Sequence, residues 1–248
     1  MVLMDPCYRE NGMKLLLTIC VLLFATQSSY ASLTSVQIRE AERRLSELGY
    51  WTGAVDGRFD TVSRSALISF QKWEGRPITG RLTLEEIEAL RGGSMPAPRD
   101  GSYEHAEVDV DRQVLLLVDD EGSVRVLPVS TGTDKPFVYD GETSIAYTPR
   151  GRFVVYDKTM GWEDNLPGMY YPNYISGGIA IHGSYSVPAQ PASHGCIRIP
   201  VFAAREVSKR LKLGTIVLVY DKVSFVSARS WVENPKLKEA ALANSALH

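Results

Sequence analysis

The stretch IAIHGSYSVPAQPASHGCIRI, Ile179 to Ile199, holds two of the four histidines and the cysteine on which the reading turns. Its first residues are an apolar run of strand type that ends on His182. A loop rich in Ser and Pro follows, Ser184 to Ala192, and the chain returns with Ser193-His194-Gly195-Cys196. A strand thus presents one histidine, and the returning loop brings a second histidine and a thiol. That order suits a Cys–His nucleophile pair, since a thiol of ordinary pKa ~8.5 is mostly protonated at neutral pH and needs a base beside it. Gly195 lets the backbone come close to a substrate and can leave N–H groups free for an oxyanion.

Three other readings of these residues stand beside that one. Cys196 is also readable as a buried thiol packing as a small hydrophobe. His182, His194 and Cys196 could together bind zinc at an open, catalytic-type site, although no Glu–His spacing or fourth ligand accompanies them. His182 alone could be a satisfied core histidine at a strand end.

Working outward, the N-terminus bears on the thiol. From Met13 the chain runs MKLLLTICVLLFATQSSYAS, with Lys14 as a basic start, an apolar run from Leu15 to Ala25, and Ser29-Tyr30-Ala31 as a small-x-small cleavage site. Residues 1–31 therefore read as a secretory signal, since the run is too short to span a bilayer. Cleavage would remove Cys7 and Cys20 and leave Cys196 alone. An exported protein usually pairs its cysteines, so a single one suggests a reactive thiol or an intermolecular bridge. The full chain has 248 residues, 44% apolar and 23% charged, with a net charge of −2. Nothing in that balance points to nucleic acid or to an anionic membrane.

Two regions differ in period. Residues 33–92 read as a small helical unit. Ile38, Ala41, Leu45 and Leu48 share a helical face that Gly49 ends. Val62, Ala66, Phe70 and Trp73 mark a second helix. Thr83 with Glu86 forms a capping box for a third, which carries Leu84, Ile87 and Leu90. Residues 93–102, rich in Gly, Pro and small polar side chains, read as an extended and poorly packed linker. From residue 103 to 221 the pattern is β-rich, with short strands in the 106–131 stretch, at 151–157, 177–183 and 214–220, and one helix from Pro200 to about Leu211. Residues 222–248 are a tail. The expected fold is α+β and multidomain, and the linker predicts that the helical unit can be removed without loss of chemistry.

The helical unit resembles the three-helix peptidoglycan-binding domain of cell-wall enzymes, through LGYWTGAVDGRFD, ALISFQKWEG and TGRLT. It departs at Asp60, where that family usually has glycine. The β-rich region resembles the YkuD-type L,D-transpeptidase catalytic domain. LPVSTG (Leu127–Gly132), TPRGRF (Thr148–Phe153), IAIHG (Ile179–Gly183) and SHGCIRI (Ser193–Ile199) match it in order. This resemblance implies a mixed, sandwich-like β fold, Cys196 as nucleophile, and His182 as base oriented by the Gly183 carbonyl. Ser193 and His194 would shape the site, and the Gly195 and Cys196 N–H groups would serve an oxyanion hole. Arg198 would meet a substrate carboxylate, and Tyr170, Tyr171 and Tyr174 would lie in an aromatic loop over the site. It further implies peptidoglycan stem peptides as substrate, no metal or organic cofactor, and a location outside the cytoplasm, in the periplasm or cell wall. The same catalytic residues would serve an L,D-carboxypeptidase, and a silent wall-binding protein is the alternative outside enzymes. Oligomeric state is not legible in the sequence.

Overall fold

The computed structural model describes residues 32–101, 103–139 and 141–224. The secretory segment and most of the tail lie outside the described residues. Among the described residues no helix is long and apolar enough to cross a membrane.

Three helices come first: α1 (Ser35–Glu47), α2 (Thr61–Trp73) and α3 (Leu84–Gly92). Ala41, Leu45, Ala66, Leu67, Phe70, Ile87 and Leu90 fill the space between them and are almost fully buried. α1 opens on a complete capping box, Thr34 with Gln37, which the sequence reading missed. At α3 only half of the expected box forms: Thr83 accepts from the Glu86 N–H, while the Glu86 carboxylate turns to Arg76 at 3.1 Å. Asp60 now has a reason. It caps α2, its Oδ1 accepting from the Val62 and Ser63 N–H groups at 2.8 Å each, so the departure from glycine adds a cap of a kind that contributes about 1 kcal/mol.

The remaining chain forms two sheets and a hairpin. Strands β1 (His105–Asp109), β2 (Val114–Val118), β3 (Val124–Pro128), β6 (Gly151–Val154) and β11 (Ile216–Tyr220) make one sheet in the order β3-β2-β1-β11-β6. Strands β7 (Asp157–Lys158), β8 (Tyr170–Ser176), β9 (Ile179–Ser184) and β10 (Ile197–Pro200) make the other, in the order β10-β9-β8-β7. β4 (Pro136–Tyr139) and β5 (Glu142–Ile145) form a separate hairpin. Pro200 is the N-cap of α4 (Val201–Arg210), just outside the first turn where it was expected. One core joins the two sheets and α4: Val108, Leu115, Leu127, Val217 and Val219 from the first sheet meet Ile175, Ile181, Ile197 and Ile199 from the second, with Ala203, Ala204 and Val207 of α4. The sandwich-like expectation therefore holds.

The two regions are not loosely joined. Tyr50, between α1 and α2, lies as a parallel bridge beside Val126 of β3. The Trp51 N–H donates to the Val126 carbonyl at 3.1 Å, and the Val126 N–H to the Gly49 carbonyl at 2.9 Å. The connecting segment is also held, contrary to the poorly packed linker expected from its composition. Pro96 and Asp100 are buried, and the N–H groups of Arg99 and Asp100 donate to the Glu107 carboxylate at 2.9 and 2.8 Å. Glu107, fully buried in β1, also accepts from the Tyr220 hydroxyl at 2.9 Å and lies 3.1 Å from His105 Nε2. Composition could not reveal this, because the partner that fixes the segment lies in the following strand.

Candidate active site

β9 and β10 run parallel, with Ile197 opposite Ile181 and Arg198 opposite His182. Side chains alternate along a strand. Ile181, Ile197 and Ile199 therefore enter the core under α4, while His182, Arg198 and Cys196 share the other face. Strand spacing and rise put the Cα atoms of Cys196 and His182 about 8 Å apart on the diagonal, within reach of two facing side chains. The elements that bury the isoleucines are what aim the chemistry outward.

His182 is 4% exposed, and its Nδ1 lies 3.0 Å from the Gly183 carbonyl oxygen. A carbonyl only accepts, so Nδ1 carries the proton and Nε2 keeps a lone pair. Burial lowers the imidazole to about 4; the Gly183 bond opposes the shift and the Arg198 charge adds to it. A histidine so placed is neutral at pH 7 and able to take a proton. Gly183 is also a steric requirement, since a Cβ there would lie 2.5 Å from the Ala204 Cβ.

Cys196 is half-buried and is the free cysteine among the described residues. Burial pushes its thiol upward, with the Ala180 N–H and the Arg198 charge pulling the other way. An activated thiol is expected to lie below its free value; here burial holds Cys196 above it. With the thiol raised and the imidazole lowered, both groups rest neutral at pH 7.

Ser193 is buried, and its Oγ donates to the Cys196 carbonyl at 2.5 Å while accepting from the Gly195 N–H at 3.0 Å. This corrects the oxyanion assignment, because the Gly195 N–H is already engaged. Gly195 has φ +144°, and a Cβ there would lie 2.7 Å from Ile179 Cδ1 and 2.8 Å from the Tyr147 oxygen. Thr148, noticed in the sequence only as part of a family motif, closes the turn. Its hydroxyl donates to the Gly195 carbonyl at 2.6 Å and accepts from the Gly132 N–H at 2.8 Å.

His194 is exposed and stacks on Phe137 of β4, with ring centroids 4.3 Å apart and planes 4° from parallel. Among the described residues no group of three or more His, Cys, Asp or Glu is placed to hold a metal ion. Arg198 pairs through its backbone with Ser130, N–H to O at 3.0 Å in both directions. Its guanidinium acts through charge on both His182 and Cys196, and among the described residues it makes no ion pair.

The tyrosines depart from expectation. Tyr170 to Ser176 is strand β8 rather than a covering loop, with Tyr170 opposite Gly183 and Tyr174 opposite Ala180. Tyr170 packs against the core, and Tyr171 turns at φ +49°. The exposed aromatic surface is built instead on Trp162, whose ring centroid is 4.7 Å from that of Tyr170 and 5.5 Å from that of Tyr185. Tyr174 donates to Glu163 at 3.0 Å and is close enough for the Cys196 charge to act on its phenol. Glu163, Trp162 and Phe137 were missed because their only signal is spatial.

The comparisons with known proteins bear on the family and the fold. The family model of the L,D-transpeptidase catalytic domain, YkuD, matches residues 103–219, and that of the putative peptidoglycan binding domain matches residues 34–90. No curated protein matches the chain. The crystal structure of the L,D-transpeptidase from Xylanimonas cellulosilytica is 37% identical, over 74% of this chain and 93% of that one, with a TM-score of 0.69. The L,D-transpeptidase (Yku) from Stackebrandtia nassauensis is 21% identical over 73% of this chain and 89% of that one, with a TM-score of 0.42. The catalytic domain of the E. faecium L,D-transpeptidase is 25% identical over 48% and 98%, with a TM-score of 0.38. On its catalytic-domain match and its identity to the Xylanimonas enzyme across nearly all of that structure, the chain belongs to the L,D-transpeptidase family.

Proposed function

We propose that this protein is an exported cysteine peptidyltransferase of peptidoglycan, forming crosslinks of the 3→3 type through a thioester. The observation that supports this reading is the pairing of β9 with β10, which puts His182 and Cys196 on one face, with His182 fixed by the Gly183 carbonyl. Nε2 takes the thiol proton as Sγ attacks the carbonyl of an L-centre in a stem tetrapeptide. The C–S bond forms, and the C–N bond to the terminal D-alanine breaks. The departing amine takes the proton from the imidazolium. An amine from a neighbouring stem then gives a proton to Nε2 and attacks the thioester; the new C–N bond forms, the C–S bond breaks, and the departing Sγ takes the proton back from Nε2. Of the two backbone donors implied for the oxyanion, the Cys196 N–H is the one assigned here, since Gly195 holds Ser193. Arg198 has the fork geometry for a substrate carboxylate. The matched wall-binding domain supports action in the periplasm or cell wall, beyond the secretory segment.

The test is incubation of the mature protein with purified muropeptides, read by mass spectrometry. Crosslinked dimers, free D-alanine and an acyl increment on the peptide containing Cys196 are expected, all lost in Cys196→Ser. Shortened monomers without dimers would make the enzyme a hydrolase. Normal turnover after alkylation of Cys196 would end the thiol mechanism.

A further inference from the structure

Lys72, in the last turn of α2, is 4% exposed and points out of the helical domain into the catalytic one. Its Nζ donates to the carbonyl of Gln113 at 3.1 Å and to that of Val129 at 2.9 Å. No carboxylate accompanies it in these bonds, and burial alone lowers the amine to about 7. Charged or neutral, the group has enough hydrogens for both carbonyls. A lysine buried this way is costly and would not be needed to tether a mobile module.

The two carbonyls are not arbitrary. Val129 precedes Ser130, which pairs with Arg198 through both backbone groups and donates its hydroxyl to the Gln190 carbonyl at 2.8 Å. Gln113, at φ +56°, uses its side chain to clasp Thr131: Oε1 accepts from the Thr131 N–H at 2.9 Å, and Nε2 donates to its hydroxyl at 2.7 Å. The Thr131 carbonyl in turn accepts from the N–H groups of Ala192 and Ser193, both at 2.9 Å. Ser193 then holds Gly195 and Cys196. Gln113, Thr131 and Ser193 are all nearly or fully buried. A continuous run of short bonds therefore leads from the helical domain to the turn that carries the nucleophile.

We propose that Lys72 is a positioning residue for Cys196, so that the helical domain forms part of the catalytic framework as well as holding the wall. The inference rests on the thiol mechanism proposed above. Its force comes from steepness: attack tolerates little misplacement of Sγ, and a shift of about 1 Å can cost up to about a hundredfold in rate.

The test uses the full mature chain carrying Lys72→Met, which keeps the aliphatic stem and removes the donors, and Thr131→Val, which removes the hydroxyl gripped by Gln113. Rates are referred to folded protein. The expected result is a fall in kcat of about tenfold in each, with KM for the acyl donor little changed, slower alkylation of Cys196, and a double variant no worse than the poorer single one. Full kcat in folded Lys72→Met, whatever its melting temperature and whatever Thr131→Val does, would overturn the proposal. So would losses that multiply in the double variant. If Lys72→Met does not fold, Lys72→Gln takes its place under the same criteria. Wild-type protein that forms no acyl-enzyme would instead defeat the mechanism itself, a result visible before any variant is compared.

Discussion

Lys72 at the domain seam and His182 in the active site are buried by the same physics and used in opposite ways. Each is 4% exposed, each binds backbone carbonyls, and burial lowers each, to about 7 and about 4. Lys72 commits its donors to two carbonyls across a domain boundary and so fixes geometry. His182 commits one nitrogen and keeps the other. The difference shows what leaves a buried base able to react: one partner sets its tautomer, and the other nitrogen stays uncommitted.

The largest expected effect breaks the reactive half of that pair. His182→Ala should slow acylation by about 10²- to 10⁴-fold, measured as the rate of acyl mass increment on Cys196, with the fold retained. Recovery of near-normal acylation would return His182 to a structural role.

The next test uses the opposite face of the same strand. Ile197→Ala should cost about 2–5 kcal/mol in denaturant unfolding, through the cavity left under α4, while acylation per folded molecule stays within a small factor of wild type. Equal damage to both would mean that the two faces of β10 are not independent.

Titration sharpens the comparison further. The folded value of His182 lies below its ordinary 6.5, so the folded state binds fewer protons between about pH 6.5 and 4. Stability is full above that window and is lost as pH falls through it, by about 3 kcal/mol in all. Lys72 is depressed from 10.5 to about 7, so its burial penalty is full below 7, and stability rises with pH from there toward 10.5. The acidic slope should be shallower in His182→Ala and the alkaline rise smaller in Lys72→Met, each by that group's own share. Urea midpoints across pH, each variant against wild type, check both.

The smallest effect lies at the seam. The Tyr50 ring is fully buried and meets Phe70 edge-on at 5.7 Å, yet among the described residues its hydroxyl has no partner. Tyr50→Phe should be neutral or stabilising by up to about 1 kcal/mol in thermal unfolding, whereas a hidden partner would make it destabilising.

Legibility in the sequence followed the range of the interactions. Helix periods, the capping role of Thr83, the breaks at Asp111 and Asp119, and the strand that carries His182 are local and legible in the chain, although that strand runs on to Ser184. β8 reads as a loop in the sequence because its tyrosines and Pro172 hide a strand whose alternation appears only against β9. The β4–β5 hairpin is exposed along nearly its whole length, so no apolar period announces it. At the site, Cys196 and His182 were legible through motif and spacing. Thr148, Phe137 and Glu163 were not, because each reaches its partner from another element. The upward shift of the thiol is not legible for the same reason: burial is set by residues far away in sequence.

The strip of chain from Gly49 to Trp51 has one more consequence. β3 is the last strand of its sheet, and this strip covers part of its outer rim. A catalytic domain produced without residues 33–92 would present bare N–H and C=O groups along that rim, which is a template for pairing with another chain. Self-association by strand addition is then the expected fate of the truncated enzyme, and the helical domain acts as a built-in guard against it.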